Sequence, residues 1–237
     1  MAEGEMAERL AQIRRRVDEA ARRAGRDPGQ VSLVAVTKTV ELEPIRTLIG
    51  LGVNDLGENR VQEALPKQEA LGGLPVKWHM IGHLQTNKVR QVVGWCAMLH
   101  SLDRISLARE LQKRLQKTNA GPLECLIQVN TREDPDGSPR SGMAPEAVPD
   151  FVRQAAAFDR LRVVGLMTMA PPVPDPSDAR PYFRRLRELS EQVAGLGLPG
   201  VSMRHLSMGM TGDFEAAVEE GATLVRIGRA LFGERPQ

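Results

Sequence analysis

The sequence contains little cysteine and few aromatic residues. Only two cysteines, Cys96 and Cys125, occur in 237 residues, and no metal-ligand spacing surrounds them. They predict buried thiols of a reduced, cytoplasmic protein, without a disulfide framework or a metal site. Aromatic side chains make up 3% of the chain, with a single tyrosine, Tyr182. So few rings argue against a stacking platform for single-stranded nucleic acid.

The sequence also lacks an excess of charge and a long apolar run. Lys and Arg number 32 against 30 for Asp and Glu, which gives a formal net charge of +2. A nucleic-acid-binding domain usually concentrates a larger basic excess on one face. No stretch has the length of a transmembrane helix, and the N-terminus has no apolar signal-peptide core. These absences predict a cytoplasmic protein that binds neither nucleic acid nor a membrane.

The chain does contain a repeated alternation of short apolar runs and amphipathic segments. A helix with one apolar stripe is predicted over residues 2–25. Eight candidate strands follow: Val31–Lys38, Val53–Arg60, Lys77–Gly82, Ala97–Asp103, Leu123–Asn130, Leu161–Met169, Val201–Gly209 and Thr223–Gly228. Helices are predicted between them, including one from residue 83 to about residue 93. The pattern predicts an α/β fold, a single (β/α)8 TIM barrel formed by residues 1–237, with an extra N-terminal helix.

The first candidate strand ends on a lysine. Val31–Lys38 is a nearly unbroken apolar run, typical of a strand buried on both faces. Alternation places Val34, Val36 and Lys38 on one side of it. Active sites of such barrels lie at the carboxyl ends of the strands. A lysine amine held out of water there can attack a carbonyl and form a Schiff base. This stretch alone leaves the alternative open, a lysine that reaches to solvent.

Polar residues on the next strands are further candidates. Asn59 follows the second strand, where its amide can orient a ligand near Lys38 or cap the next helix. His79 alternates with Ile81 in the third strand, and a lone histidine there is more often a core residue than a catalyst. The polar segment Thr131–Met143 has the composition of an active-site loop.

Glycine-rich segments follow the seventh and eighth strands. In barrels of this kind the favoured phosphate site lies between these two loops, at the amino end of a short helix. Gly209 and Gly228 would let backbone N–H groups approach phosphate oxygens, and Ser207 would add a hydroxyl. Residues 229–232 are the candidate short helix. The alternative is that both segments are ordinary strand–helix turns.

Arg226 completes the predicted site. It shares a strand face with Leu224 and Gly228, so its guanidinium points into the barrel and needs an acceptor there. A lysine amine, a phosphate cup and an inward guanidinium together fit pyridoxal 5′-phosphate. The aldehyde would bond to Lys38, the phosphate would lie against the glycine loops, and the ring nitrogen would accept from Arg226.

Several long motifs resemble the YggS/PROSC family of pyridoxal-phosphate-binding homeostasis proteins. The resemblance covers residues 30–234 and rests on VAVTK, LGENRVQE, KWHMIGHLQTNK, LIQVN with a later SGM, GLMTMA, and HLSMGMTGDFEAAVEEGATLVRIGRALFG. It implies a fold-type III barrel, like that of alanine racemase, with the cofactor on Lys38. It also implies Ser207 and Gly228 at the phosphate, Arg226 at the pyridine nitrogen, and Asn59 near the cofactor.

Some positions depart from the pattern of this family; LGEN replaces the commoner FGEN, which should change only packing. Arg229 stands where its members usually have a small hydroxyl residue such as Thr. The departure removes a hydroxyl contact to the phosphate, for which a cation can substitute electrostatically.

Two functions of different class follow from the resemblance. The first is a monomeric protein that binds pyridoxal phosphate, buffers it and delivers it to apo-enzymes. The alternative is a weak amino-acid racemase, which needs an acid/base group on each face of the substrate. In alanine racemase a tyrosine of a second domain supplies one such group, and this chain is expected to end before such a domain. Tyr182 is expected to pack in the fold. An aldolase-like enzyme using Lys38 without a cofactor is a third reading.

Overall fold

The computed structural model describes residues 3–132 and 141–233. Eight parallel strands close into a barrel in chain order, so that β1 pairs with both β2 and β8. The predicted barrel is therefore confirmed. The strands are β1 (Ser32–Val36), β2 (Asp55–Glu58), β3 (Lys77–Met80), β4 (Cys96–Leu102), β5 (Leu123–Gln128), β6 (Leu161–Met167), β7 (Val201–Ser207) and β8 (Leu224–Ile227).

Helices surround the barrel and connect successive strands. The α-helices of the described residues are α1 (Glu3–Arg23), α2 (Leu42–Gly50), α3 (Val61–Ala70), α4 (Ile105–Thr118), α5 (Val148–Ala155), α6 (Arg180–Ala194), α7 (Phe214–Glu219) and α8 (Arg229–Phe232). The predicted N-terminal helix is α1, which precedes β1. None of these helices is long and apolar enough to cross a membrane.

The connection between β3 and β4 differs from its prediction. An α-helix was predicted up to residue 93, but the segment forms a short 3-10 helix, Thr86–Gln91. Two buried side chains, Val89 and Val92, lie three residues apart. That spacing matches the three residues per turn of a 3-10 helix. Within Thr86–Gln91 only Val89 is buried, which is too little apolar surface to hold an α-helix against the barrel.

The apolar core has two layers separated by the strands. Side chains inside the barrel form one cluster: Val34, Met98, Leu126, Val164, Met167 and Leu224. A larger cluster, which includes Ala35 and Val225, fills the space between the strands and the helices. Because alternate residues of β1 enter different layers, this strand is buried on both faces, as its apolar sequence predicts.

The two cysteines are free thiols in this core. Cys125 is buried and Cys96 is half-buried. Burial raises the pKa of the Cys96 thiol to about 12 and raises that of Cys125 further. Both groups are therefore protonated and poorly nucleophilic at neutral pH.

Helix α1 packs against the end of the chain. Its apolar face, which includes Met6, Leu10 and Ile13, is buried. Its basic face binds α7, because Arg16 forms two hydrogen bonds with Glu215, at 2.9 and 2.7 Å, and its guanidinium lies 4.6 Å from the centre of the Phe214 ring. These contacts hold α1 against the helix that connects β7 to β8.

Candidate functional site

Lys38 lies at the carboxyl-terminal mouth of the barrel. Strand β1 ends at Val36, two residues earlier than predicted, and Lys38 occupies the turn that follows. The next residue, Thr39, has a φ of 59°. Lys38 is half-buried, and within residues 3–132 and 141–233 its amine makes no hydrogen bond or ion pair. The amine is therefore available to react.

A buried ion pair supports the backbone just before Lys38. Lys67 donates to Glu58 Oε1 at 2.8 Å and to the carbonyl of Thr37 at 2.6 Å. The Thr37 hydroxyl donates to the same carboxylate oxygen at 2.6 Å. Glu58 is fully buried, and its Oε2 has no partner among the described residues. The sequence analysis missed Glu58 and Lys67; the signal was an acidic side chain inside a buried strand.

Asn59 emerges beside Lys38. Val36 of β1 pairs with Gly57 of β2. Lys38 and Asn59, each two positions further along the chain, therefore leave these neighbouring strands side by side. The helix-capping alternative is wrong, because Arg60 is the N-cap of α3 and no side chain caps it. Asn59 instead borders a cavity of about 590 Å³ that His83 and Lys88 also line. The ligand-orienting role of Asn59 stays a prediction.

The two glycine loops occupy the opposite side of the mouth. Gly209 follows β7 with a φ of 90°, and a Cβ there would lie 2.6 Å from the Cβ of Ala217. Gly228 follows β8 and is the N-cap of α8, the short helix expected from the sequence. In the described part of the chain, nothing accepts a hydrogen bond from the backbone N–H of Gly212 or Arg229. The Arg229 side chain is exposed beside them.

Arg226 points into the barrel and finds acceptors, as its strand position predicts. Nη1 donates to Ser207 Oγ at 2.6 Å and Nη2 donates to the carbonyl of Thr168 at 2.8 Å. Burial lowers the pKa of Arg226 to about 10, while the charge of Asp213 acts in the opposite sense. The guanidinium is therefore protonated at neutral pH and acts only as a donor.

The Ser207 hydroxyl has partners that the sequence did not reveal. It is fully buried and lies between Arg226 and His100, whose Nδ1 is 2.9 Å from Oγ. Its expected contact with a phosphate stays a prediction. His79 is a core residue, bound to His100 and Asp55. His100 was missed, although it alternates with Met98 on β4 as an inward residue must.

Two further candidates from the sequence are the loop Thr131–Met143 and Tyr182. The proposed active-site loop Thr131–Met143 is described only at its ends, because residues 133–140 lie outside the described residues. Tyr182 lies in the first turn of α6 and packs against the outer apolar layer, as expected.

Comparison with known proteins agrees with this geometry. A family model described as "Alanine racemase, N-terminal domain" matches residues 9–236. The fold and the site thus define a barrel of the alanine racemase type. An alanine racemase of Clostridium difficile 630 superposes with a TM-score of 0.72 over 94% of this chain and 56% of its own, at 12% identity, which shows the fold alone.

Relatives with higher sequence identity identify the family within this class. The pyridoxal phosphate homeostasis protein of Aquifex aeolicus is 45% identical over 228 residues, which are 96% of this chain and 97% of that protein. PipY of Synechococcus elongatus PCC7942, solved with pyridoxal phosphate bound, is 32% identical with a TM-score of 0.82, over 96% of this chain and 100% of that one. The chain belongs to the family of pyridoxal phosphate homeostasis proteins.

Proposed function

We propose that this chain binds pyridoxal 5′-phosphate at the mouth of the barrel, buffers it and delivers it to apo-enzymes. The observation that carries the proposal is the Lys38 amine, which has no partner in the described part of the chain and shares one mouth with two glycine loops and the inward Arg226. The PipY relative, which was solved with pyridoxal phosphate bound, supports it. In keeping with the composition, we propose a cytoplasmic monomer.

The donors at the mouth match the three polar parts of the cofactor. Lys38 would hold the aldehyde carbon, and Asn59 lies beside it. Gly209, Gly228 and the unbonded amides next to them would receive the phosphate, with Arg229 as an added cation and Ser207 as the predicted hydroxyl. Arg226 would donate to the ring nitrogen. When bound, the cofactor supplies an aldehyde that reacts reversibly with amines.

Lys67, the other lysine close to β1, is a poor alternative to Lys38. Its side chain is 12% exposed and is held by Glu58 and the carbonyl of Thr37. For its amine to react, it would have to leave a fully buried carboxylate without its cation, at a cost of about 3–5 kcal/mol. Lys38 loses no such contact.

Storage and delivery suit the site better than racemisation. Racemisation needs an acid/base group on each face of the substrate. Tyr182, the single tyrosine of the chain, is packed into the outer layer at α6. Arg226 cannot transfer a proton to the ring nitrogen at neutral pH, and an unprotonated ring is a weaker electron sink. Both features favour holding the cofactor over using it.

A transfer experiment tests this function. Loaded protein is mixed with an apo-enzyme that requires pyridoxal phosphate, and the recovered activity of that enzyme is followed. We expect recovery with the wild type and with Lys88→Ala, a rim lysine, but not with Lys38→Ala. D/L ratios of several amino acids, measured by chiral chromatography, should scarcely change. Racemisation at ordinary enzyme rates, on the order of 1–1000 per second, would contradict the proposal.

A further inference from the structure

A continuous chain of side-chain hydrogen bonds crosses the barrel interior beneath the candidate site. Arg226 Nη1 is 2.6 Å from Ser207 Oγ, and Ser207 Oγ is 2.9 Å from His100 Nδ1. His100 Nε2 lies 2.9 Å from His79 Nδ1, and His79 Nε2 lies 2.9 Å from Asp55 Oδ1. The five residues belong to five strands. The chain therefore runs from the cofactor mouth to the amino-terminal end of β2.

The two ends of this chain differ in exposure and charge. Arg226, Ser207, His100 and His79 are all buried, with exposed fractions of 4% or less. The side chain of Asp55 is 28% exposed and borders a cavity of about 330 Å³, at the barrel end opposite the cofactor mouth. A guanidinium, which only donates, thus begins the chain, and a carboxylate near solvent ends it.

The end groups determine the direction of every bond. Burial alone would raise the pKa of Asp55, but the hydrogen bond from His79 and the positive charge of Lys77 lower it overall, so Asp55 is ionised. A carboxylate only accepts, so His79 Nε2 carries a proton. Burial lowers the pKa of His100 well below its ordinary value, so this ring is neutral.

Only one arrangement satisfies every donor. Ser207 accepts from Arg226 and donates to His100 Nδ1, His100 Nε2–H donates to His79 Nδ1, and His79 Nε2–H donates to Asp55. If His79 were doubly protonated, His100 would have to donate to Ser207. The hydroxyl hydrogen would then have no acceptor among the described residues, although Ser207 is fully buried. Leaving a buried donor unpaired is unfavourable by about 1–3 kcal/mol.

We propose that Asp55, His79 and His100 are positioning residues for the cofactor site, because their one-directional chain turns the Ser207 lone pairs toward Arg226 and so fixes the guanidinium. This inference relies on the proposed function in one respect, the identity of the group that Arg226 binds. The chain itself is a property of the cofactor-free protein. It also gives each of these polar side chains a hydrogen-bond partner inside the barrel.

The direction of the chain can be measured without cofactor. Nitrogen-15 NMR of histidine-labelled protein distinguishes the two ring tautomers, and the His83→Gln and His205→Gln variants assign the other two histidines. We expect His79 and His100 to be neutral at pH 7.5, each with its proton on Nε2. A proton on Nδ1 of either ring, or on both nitrogens, would overturn the proposal even if the protein binds pyridoxal phosphate.

The link to the cofactor site is tested with Asp55→Asn. An asparagine can accept from His79 or donate to it, so in this variant only the unpaired Ser207 hydroxyl opposes the reversed arrangement. Asp18→Asn is the matched control, because Asp18 borders the same cavity but lies outside the chain. We expect Asp55→Asn to give mixed His79 tautomers and to shift the pH midpoint of the bound cofactor's visible absorbance, while Asp18→Asn leaves both unchanged.

The outcomes separate this inference from the proposed function. If wild-type protein shows no cofactor absorbance, the proposed function fails. The tautomers of His79 and His100 still show whether the hydrogen-bond chain has the inferred direction. If the cofactor binds but Asp55→Asn and Asp18→Asn give the same pH midpoint of absorbance, the proposed positioning role of the hydrogen-bond chain is wrong. Should Asp55→Asn fail to fold, the wild-type tautomers and the absorbance of His100→Gln, compared with His83→Gln, decide the question in the same way.

Discussion

At the residue scale, the ion pair between Lys67 and Glu58 determines how firmly Lys38 is held. Lys67→Met would remove the only cation bound to the fully buried Glu58 carboxylate among the described residues. We expect the free energy of unfolding, measured with urea, to fall by about 3–5 kcal/mol, because an uncompensated charge would remain buried. The same loss should disorder the turn that carries Lys38 and weaken cofactor binding.

Two companion variants make the prediction about Lys67 specific. Lys113→Met removes an exposed lysine of α4 and should change the unfolding free energy by no more than about 0.5 kcal/mol. Adding Glu58→Gln to Lys67→Met should restore part of the stability, since no charge would then be buried. Equal stability of Lys67→Met and Lys113→Met would show that the ion pair contributes nothing.

Residues on strand ends were predictable, whereas their partners were not. The strand period placed Arg226 inside the barrel, and the structure provides acceptors there. The same reasoning could not find that Ser207 is shared with His100, because this contact joins residues 107 positions apart. The Asn59 cap was wrong for a local reason, since the helix begins one residue later than a cap at Asn59 requires.

At the scale of elements, the loops after β7 and β8 should supply most of the affinity. If their free amides bind the phosphate, each charge-assisted hydrogen bond contributes about 1.5–3 kcal/mol. Pyridoxal, which lacks the phosphate, should therefore bind at least about tenfold more weakly than pyridoxal phosphate in absorbance titrations. Equal dissociation constants for the two aldehydes would remove the proposed phosphate cup.

The docking of α1 on α7 should depend on pH. Glu219 accepts from Arg23 and Arg180; burial raises its pKa, but these hydrogen bonds lower it overall. A carboxylate with a lowered pKa stabilises the fold above its ordinary value of 4.5, and this contribution is lost as the pH falls through the lowered value. Acid should therefore destabilise the wild type more than Glu219→Gln.

Urea midpoints at pH 7 and pH 3.5 measure this difference. Other carboxylates also titrate in this range, so Glu8→Gln, which changes an exposed residue of α1, serves as the control. The drop in midpoint should be smaller for Glu219→Gln than for Glu8→Gln. Identical drops would mean that the arginine contacts of Glu219 do not stabilise the native state.

Elements with a clear apolar period were predicted well, and those without one were not. All eight strands were found, and most of them are buried runs between polar segments, although β7 is buried only at its last two residues. The segment after β3 was wrongly predicted as an α-helix; only one residue of the 3-10 helix that forms there, Val89, is buried. The end of β1 was predicted at Lys38, two residues after its actual end at Val36. Composition does not show where the hydrogen bonds between neighbouring strands stop.

At the scale of the whole molecule, the barrel has two polar regions. Its carboxyl-terminal mouth brings together Lys38, Asn59, the glycine loops and Arg226, from strands far apart in sequence. Its interior connects Arg226 to Asp55 at the other end. The lysine and glycine motifs made the mouth predictable. The interior chain was not, because it depends on the pairing of β2, β3, β4 and β7 around a closed sheet.

The central claim is that Lys38 holds pyridoxal phosphate covalently. Protein incubated with the cofactor is reduced with borohydride, digested and examined by peptide mass spectrometry. The account predicts one pyridoxyl adduct on the peptide that contains Lys38 and its absence in Lys38→Ala. An adduct mainly on Lys67, Lys77 or Lys88 would contradict it.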